Sequence, residues 1–175
     1  MQTIIEKAKK IRLAILDVDG VLTNGILVYG INGSELKEFH VHDGQGLVFL
    51  KKSGVEVAII TARHSEIISQ RMKDLNITHV YQGNIDKLPA YEDLKQKLNL
   101  QDDQIAYVGD DLPDLPVLRR VGLGVTVANA PLIMQENACW TTKAKGGKGA
   151  VREVCDLIMH AQGTYQAIID SFLLR

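Results

Sequence analysis

The stretch Ala14-Ile15-Leu16-Asp17-Val18-Asp19-Gly20-Val21 places two carboxylates directly after an apolar run. That run, residues 11–16, is typical of a buried strand. Side chains two residues apart on an extended chain point the same way, so Asp17 and Asp19 converge where the strand ends. Two like charges in one pocket repel unless a cation binds them, and such oxygen donors suit Mg2+. The alternative is a polar turn in which Asp19-Gly20 makes the bend.

Short apolar segments rich in β-branched residues alternate with segments of helical period along the chain. The sequence predicts strands near residues 12–17, 56–61, 78–82, 105–109, 123–127 and 138–141. It predicts helices near residues 46–53, 65–75, 86–98, 112–120, 131–137, 149–162 and 165–173. This alternation predicts an α/β fold of one domain over residues 1–175, with a Rossmann-like, mostly parallel sheet and helices on both faces. Ligands of such sheets bind beyond the carboxyl ends of the strands.

One segment, residues 25–41, interrupts the alternation. It predicts two short strands around Asn32-Gly33, a dipeptide that favours a type I′ hairpin turn. The insertion is too small for a second domain, and it carries several large apolar side chains: Ile26, Leu27, Val28, Tyr29, Ile31, Leu36 and Phe39. An isolated hairpin is marginal in water, so this one must pack on its own domain or against another subunit.

Composition excludes several classes of partner. The 175 residues carry 20 basic and 21 acidic side chains, so no basic field draws the protein to nucleic acid or to an anionic membrane. Cys139 and Cys155 lack metal-type spacing and are predicted to be reduced core thiols. The first residues lack a basic region followed by a long apolar stretch, and no run approaches the roughly 20 apolar residues of a membrane helix. We therefore expect a cytoplasmic protein.

Four polar side chains at predicted strand ends or helix starts would form a phosphoryl-transfer site if they met. Asp17 is the candidate nucleophile, and Asp19 would donate a proton to the leaving group and accept one from water. Thr61 follows an apolar strand and could hold phosphate oxygens, although a helix cap is the alternative. Lys87 could bridge nucleophile and phosphate, whereas the alternative is a solvated surface lysine.

A second acidic cluster, Gly109-Asp110-Asp111-Leu112-Pro113-Asp114, follows the predicted strand at 105–109. Oxygen-rich clusters at the end of a buried strand suit Mg2+. Asp110 is the candidate direct ligand. Asp114 lies one helical turn further and is a candidate for an indirect or water-mediated contact, while Asp111 is a candidate helix cap.

These positions carry a family resemblance. Asp17-x-Asp19-Gly20-Val21, Thr61, Lys87 and Gly109-Asp110-Asp111-x-x-Asp114, in that order, resemble the four motifs of the haloacid dehalogenase-like phosphatases. Further segments resemble one subfamily, the 3-deoxy-D-manno-octulosonate 8-phosphate phosphatases of lipopolysaccharide synthesis. They are Phe39-x-Val41-x-Asp43-Gly44-x-Gly46, Thr61-x-Arg63 and the glycine-rich stretch 146–157. His42, Gln45 and Ala62 depart from the usual pattern of that subfamily.

The resemblance implies a Mg2+-dependent homotetramer without a cap domain, in which hairpins join at the centre and a neighbouring subunit helps to close each site. It implies hydrolysis of 3-deoxy-D-manno-octulosonate 8-phosphate through an aspartyl-phosphate on Asp17, with Asp19 as acid and base. Thr61 and Lys87 would bind phosphate. The metal ligands would be Asp17, the Asp19 carbonyl and Asp110.

Three further residues are candidates for substrate contacts. Arg63 and Arg71 could pair bidentately with the carboxylate of the sugar acid, and the alternative is two surface arginines beside a helix. Gly147 lies in a flexible loop whose backbone could approach a ligand closely, or in an ordinary loop before the last helices.

Two rival functions remain open at this point. A phosphatase for nine-carbon sialic or deaminated sialic acid 9-phosphates would use the same chemistry, but those relatives typically carry Glu where this chain has Arg63. A non-catalytic oligomerisation module is the rival from another class, and the complete set of acidic residues argues against it.

Overall fold

The computed structural model describes residues 3–174; Met1, Gln2 and Arg175, which the predicted domain includes, lie outside the described residues. The strands are β1 (Leu13–Leu16), β2 (Val28–Tyr29), β3 (Glu35–Leu36), β4 (Glu56–Ile60), β5 (His79–Tyr81), β6 (Ile105–Gly109), β7 (Leu123–Thr126) and β8 (Trp140–Thr141). The helices are α1 (Ile4–Lys9), α2 (Val41–Lys52), α3 (Glu66–Asp74), α4 (Leu88–Lys97), α5 (Leu115–Leu118), α6 (Leu132–Asn137), α7 (Ala150–Ala161) and α8 (Tyr165–Leu173). Single 3-10 turns precede β6 and α5.

Six strands form one parallel sheet in the order β5-β4-β1-β6-β7-β8. Strand β1 lies in the middle, where Leu13 pairs with Glu56 of β4 and with Ile105 of β6. Every residue of β1 is buried, as expected for a strand covered on both faces. Helix α7 packs against α2 and α1, whereas α5 packs against α4 and α6, so helices cover both faces. The predicted fold class is confirmed.

The insertion forms a two-stranded antiparallel hairpin in which Tyr29 pairs with Glu35. Its turn differs from the predicted type I′ turn, which requires positive φ at two successive residues. Gly33 has a φ of +79°, but the described non-glycine residues with positive φ are Asn76 and Asn99, so Asn32 is not left-handed. The Gly33 N–H donates to the Gly30 carbonyl, and the Gly30 N–H donates to Ser34. The turn is therefore one residue longer, with Gly33 in the left-handed position that closes such loops.

Helix boundaries differ from the prediction in three places. Helix α1 was not predicted; a capping box between Thr3 and Glu6 starts it. Helix α2 begins at Val41 instead of residue 46; the sequence predicts the later start because two glycines that weaken helix propensity lie in the first turns. The predicted helix over 112–120 is a 3-10 turn followed by the short α5, since two prolines remove amide donors there.

No helix within residues 3–174 has the length and apolar character needed to cross a membrane.

Candidate active site

The carboxyl ends of three neighbouring central strands meet at one cleft of about 190 Å³. Asp17 follows β1, Thr61 follows β4 and Asp110 follows β6. The cleft is also lined by Asp19 and by Lys87, which directly precedes α4. The structure thus brings together the residues predicted for nucleophile, acid and base, phosphate binding and metal binding, because adjacent parallel strands end at the same edge of the sheet.

Asp17 is buried and lines the cleft. Its N–H donates to the Val108 carbonyl at 3.0 Å, which extends the pairing of β1 with β6 and fixes the residue. Its Oδ1 lies 3.1 Å from the Lys87 Nζ. Burial and the charge of Asp114 raise the pKa of Asp17 to about 6, against the opposing effect of Lys87. The surroundings of Asp17 therefore carry an excess of negative charge and disfavour its ionised form.

Lys87 is a buried lysine, and the surface-lysine alternative is wrong. Only 2% of its side chain is exposed, and its ammonium contacts both Asp17 and Asp114. Burial alone would lower the pKa of Lys87, but the two carboxylates raise it above its ordinary value. The side chain is a fixed positive charge beside the candidate nucleophile.

Asp114 is held by four donors. Its Oδ1 accepts from Lys87 and from the Tyr107 hydroxyl at 2.6 Å. Its Oδ2 accepts from the N–H groups of Asp110 at 2.9 Å and Asp111 at 3.1 Å. A carboxylate offers about four acceptor positions, so those of Asp114 are used. Asp114 fixes the acidic loop and the lysine, an arrangement that fits the indirect role predicted for it.

Asp110 lies beside Asp17 and closely against the loop after β1. A Cβ at Gly20, which has a φ of +94°, would lie 2.1 Å from the Asp110 Oδ2, so this position requires glycine. Burial raises the pKa of Asp110 to about 7, and the charges of Asp17, Asp114 and Asp111 act in the same direction. Asp111 caps the 3-10 turn, as its Oδ1 accepts the Leu112 N–H at 2.8 Å.

This group of carboxylates fits a hard divalent cation. Carboxylate oxygens of Asp17, Asp110 and Asp114 lie within 4.8 Å of one another. The raised pKa values of Asp17 and Asp110 indicate negative charge that a cation would neutralise. Because the oxygens of Asp114 already accept four hydrogen bonds, Asp17 and Asp110 are the side chains left to bind it. The carbonyl of Asp19 stays a predicted third ligand.

Thr61 is buried and its backbone is fixed on both sides. Its N–H donates to the Tyr81 carbonyl, and its own carbonyl accepts from the Asn84 N–H at 3.0 Å. Ser65 is the N-cap residue of α3, so the helix-cap alternative for Thr61 is wrong. The Thr61 hydroxyl accepts a long hydrogen bond, 3.4 Å, from the Arg63 N–H at the cleft.

The three predicted substrate residues lie in different places. Arg63 lines the cleft, where its Nε is 3.7 Å from the Asp19 Oδ2. The Arg71 guanidinium stacks over the Phe39 ring at 5.6 Å, outside the cleft lining. Gly147 has a φ of +64° and donates its N–H to the Val21 carbonyl at 2.9 Å. Phe39 and Gly147 instead line a second cleft of about 350 Å³ at the base of the hairpin.

Three residues at the site were not predicted. Lys37 of the hairpin contacts the Asp19 carboxylate, Glu35 of the hairpin pairs with Arg63, and Tyr107 of β6 donates to Asp114. The tyrosine is a polar tip within a buried strand, which is a signal for a hydrogen-bonded partner. The position of Lys37 depends on how the hairpin folds back over the cleft, and local sequence carries no signal for that.

Comparison with known proteins places this geometry in a family. Residues 76–154 match the model of the haloacid dehalogenase-like hydrolases. The chain is 51% identical to the 3-deoxy-D-manno-octulosonate 8-phosphate phosphatase of Escherichia coli, over 91% of this chain and 85% of that protein.

Two solved structures are similar throughout. That of the same-named phosphatase from Yersinia pestis is 49% identical, with a TM-score of 0.92, over 93% of this chain and 88% of that chain. That from Moraxella catarrhalis, in complex with a magnesium ion, a phosphate ion and a KDO molecule, is 46% identical, with a TM-score of 0.95, over 97% of each chain. This chain is a phosphatase that belongs to the 3-deoxy-D-manno-octulosonate 8-phosphate phosphatases of the haloacid dehalogenase-like family.

Proposed function

We propose that the protein hydrolyses 3-deoxy-D-manno-octulosonate 8-phosphate to the free sugar acid and phosphate, in the synthesis of lipopolysaccharide precursors. The observation that carries this proposal is the cleft in which Asp17 lies 3.1 Å from Lys87 and beside Thr61 and Asp110. The Escherichia coli relative bears this activity in its name, and the Moraxella catarrhalis relative holds magnesium, phosphate and sugar acid in one structure.

In the first step the Asp17 carboxylate attacks phosphorus, and an aspartyl-phosphate forms. The bond from phosphorus to the sugar oxygen breaks, its electron pair leaves with that oxygen, and Asp19 supplies the proton. In the second step water attacks the same phosphorus and the bond to Asp17 breaks. Asp19 takes the proton of the water, so that phosphate leaves and both carboxyl groups return to their starting states.

Lys87 and Thr61 would hold the phosphoryl oxygens, since the buried ammonium supplies fixed positive charge and the hydroxyl a neutral donor. Mg2+ would be held by Asp17, Asp110 and the Asp19 carbonyl, and would neutralise charge on the phosphoryl group when bound. The raised pKa of Asp110 supports this assignment, because an uncompensated carboxylate pair invites a cation.

Arg63 would pair with the carboxylate of the sugar acid, since it is the arginine that lines the cleft. Arg71 and Gly147 lie outside this cleft in their own chain and would contact substrate only across a subunit boundary. The second cleft at the hairpin base, next to Phe39, would be the place where a neighbouring subunit completes the site.

We also propose a homotetramer built on the hairpins. Ile26 is 64% exposed and Leu36 is 62% exposed, and together with Val28 they line one groove on the same face of the hairpin. A contiguous apolar surface of this kind on a small insertion is typical of a subunit interface.

A hydrolysis assay over a panel of phosphorylated sugar acids tests the proposal. We expect the eight-carbon 8-phosphate to be the best substrate, ahead of nine-carbon sialic acid 9-phosphates and an aryl phosphate. Arg63→Ala should raise the Michaelis constant for the eight-carbon substrate far more than for the aryl phosphate, which has no carboxylate. Preference for a nine-carbon substrate would replace the assigned substrate, and no hydrolysis of any member with Mg2+ present would favour the non-catalytic alternative.

A further inference from the structure

Polar residues of the hairpin contact charged side chains that line the cleft. Lys37 directly follows β3, its side chain is 2% exposed, and its ammonium contacts the Asp19 Oδ1. A buried ammonium is stable only when it is paired, so this contact is a specific feature of how the hairpin folds back. Ile26, Val28 and Leu36 of the same hairpin are exposed within this chain.

Lys37 belongs to a closed ring of four charged side chains. Glu35 Oε1 lies 3.3 Å from the Lys37 Nζ and accepts a hydrogen bond from Arg63 Nη2 at 2.7 Å. The Arg63 Nε faces the Asp19 Oδ2 at 3.7 Å, which closes the ring. Cations and carboxylates alternate around it, so each oxygen of Asp19 faces a positive charge.

The two oxygens of Asp19 are not equivalent in this ring. Oδ1 accepts from Lys37, whereas Oδ2 is buried and accepts no hydrogen bond from the residues that the structure describes. The Arg63 Nε opposite also donates none to them. A carboxyl group that exchanges a proton needs one oxygen free and aimed at its partner, and the other can be fixed.

We propose that Lys37 is a positioning residue for the reaction: it anchors Oδ1 of Asp19 and leaves Oδ2 to exchange the proton with the leaving group. Glu35 holds Lys37 and Arg63 in place around that carboxylate. The inference rests on the proposed function of Asp19 as acid and base, and it gives the hairpin a role within its own subunit besides any contact between subunits.

Lys37→Met tests this role because it removes the ammonium and keeps most of the apolar stem. We expect kcat for an aryl phosphate to fall about 10- to 100-fold with little change in KM, since a misplaced proton donor loses rate and not phosphate binding. Lys37→Arg should recover much of the loss. When Lys37→Met is added to the Asp19→Asn variant, kcat should fall by less than about twofold further, because the carboxylate that Lys37 contacts is already absent.

Matched controls separate positioning from stability. Lys52→Met removes an exposed lysine from α2 and should leave kcat unchanged. Glu35→Gln removes the negative charge that faces Lys37 and Arg63 but keeps the side chains of Lys37 and Asp19 themselves, and we expect it to lower kcat. Glu56→Gln changes an exposed glutamate at the start of β4, the end of that strand opposite the cleft, and should leave kcat unchanged. The kcat values are compared only among variants whose sedimentation coefficient and melting temperature equal those of the unmodified protein. If Lys37→Met lowers either quantity, Glu35→Gln is used in its place.

Two results would overturn the inference. One is near-normal kcat in Lys37→Met, or in Glu35→Gln in its place. The other is that the same substitution lowers kcat by an equal factor in the wild-type protein and in the Asp19→Asn variant. Near-normal turnover by Asp19→Asn alone would overturn the proposed acid and base as well. A different preferred substrate in the sugar-acid panel would change the proposed function and leave the role of Lys37 standing, so the two failures are distinguishable.

Discussion

The carboxylates of Asp17, Asp19 and Asp114 lie in one cleft, but their partners differ and separate their roles. Asp114 accepts four hydrogen bonds and has no oxygen left to attack phosphorus. Asp19 is anchored by Lys37. Asp17 has Lys87 at 3.1 Å as its one close cation among the described residues, and no hydrogen bond to a side-chain donor other than that lysine occupies its carboxylate there. The role of nucleophile therefore fits Asp17 best.

Asp17→Asn should abolish phosphate release, because a neutral amide cannot serve as the nucleophile. The metal-free variant should melt at an equal or higher temperature at pH 8. Burial raises the pKa of Asp17 to about 6, so its ionised form is unfavourable in the folded protein, and asparagine removes that charge. Phosphate release and thermal melting check the two expectations, and near-normal hydrolysis by the purified variant contradicts the mechanism.

Mg2+ should stabilise the protein more at pH 8 than at pH 5. The pKa values of Asp17 and Asp110 are raised to about 6 and about 7, so without metal the folded state loses stability as pH rises from about 4 through these values. Bound Mg2+ neutralises the ionised pair and removes that loss, whereas at pH 5 protons occupy both carboxyl groups. The check is the melting temperature with and without Mg2+ at each pH. An equal increase at both pH values, or the same increase in Asp110→Asn, argues against this site.

The sequence predicts the central residues of the site because they depend on strand ends alone. Asp17, Thr61 and Asp110 follow apolar runs, and parallel strands end at one edge of a sheet. Lys37 and Glu35 were missed because their contacts depend on the fold-back of the hairpin. Arg71 is the reverse case: the sequence predicts it as a substrate contact because an arginine can pair with a carboxylate, but the fold places its guanidinium over the Phe39 ring.

Among the elements, α2 shows how packing can override local propensity. Gly44 and Gly46 lower helix propensity, which is why the sequence predicts a later start. A Cβ at Gly44 would lie 2.3 Å from the Arg71 Nη2, and one at Gly46 would lie 3.3 Å from the Arg152 Cα. Gly46 lets α2 approach α7 closely, and Gly44 leaves room for the Arg71 side chain, so packing compensates for the low helix propensity of the two glycines.

Asp43 links α2 to the start of α7, and Asp43→Ala should destabilise the protein by about 1–3 kcal/mol. Its buried carboxylate accepts the N–H groups of Arg152 at 2.8 Å and Gly149 at 3.2 Å, which the helix itself leaves unpaired. Asp43→Asn should cost less because the amide oxygen still accepts one of them. Urea unfolding measures the difference. The control is Asp74→Ala, an exposed residue of α3; an equal effect from both changes would show that the cap contributes nothing.

For the molecule as a whole, the exposed hairpin predicts a change of assembly. Ile26→Asp should convert the proposed tetramer to smaller species, because it places a charge in the apolar surface proposed to join subunits. Ile26 is 64% exposed, and Leu132 of α6, which is 69% exposed, supplies the matched control Leu132→Asp. Sedimentation velocity distinguishes the species. A monomer for the unmodified protein contradicts the assembly, and so does a tetramer that survives Ile26→Asp.

The sheet order also governs how the protein can be made. Strand β1 leaves the ribosome early. One of its two neighbours in the sheet, β6, is translated much later, since Leu13 of β1 pairs with Ile105, which lies far along the chain. Until then the buried strand that carries Asp17 has one edge open, and an apolar edge of this kind is prone to aggregate. Nascent chains that end before residue 105 should therefore depend on chaperones, and the phosphatase site forms only after most of the polypeptide has been synthesised.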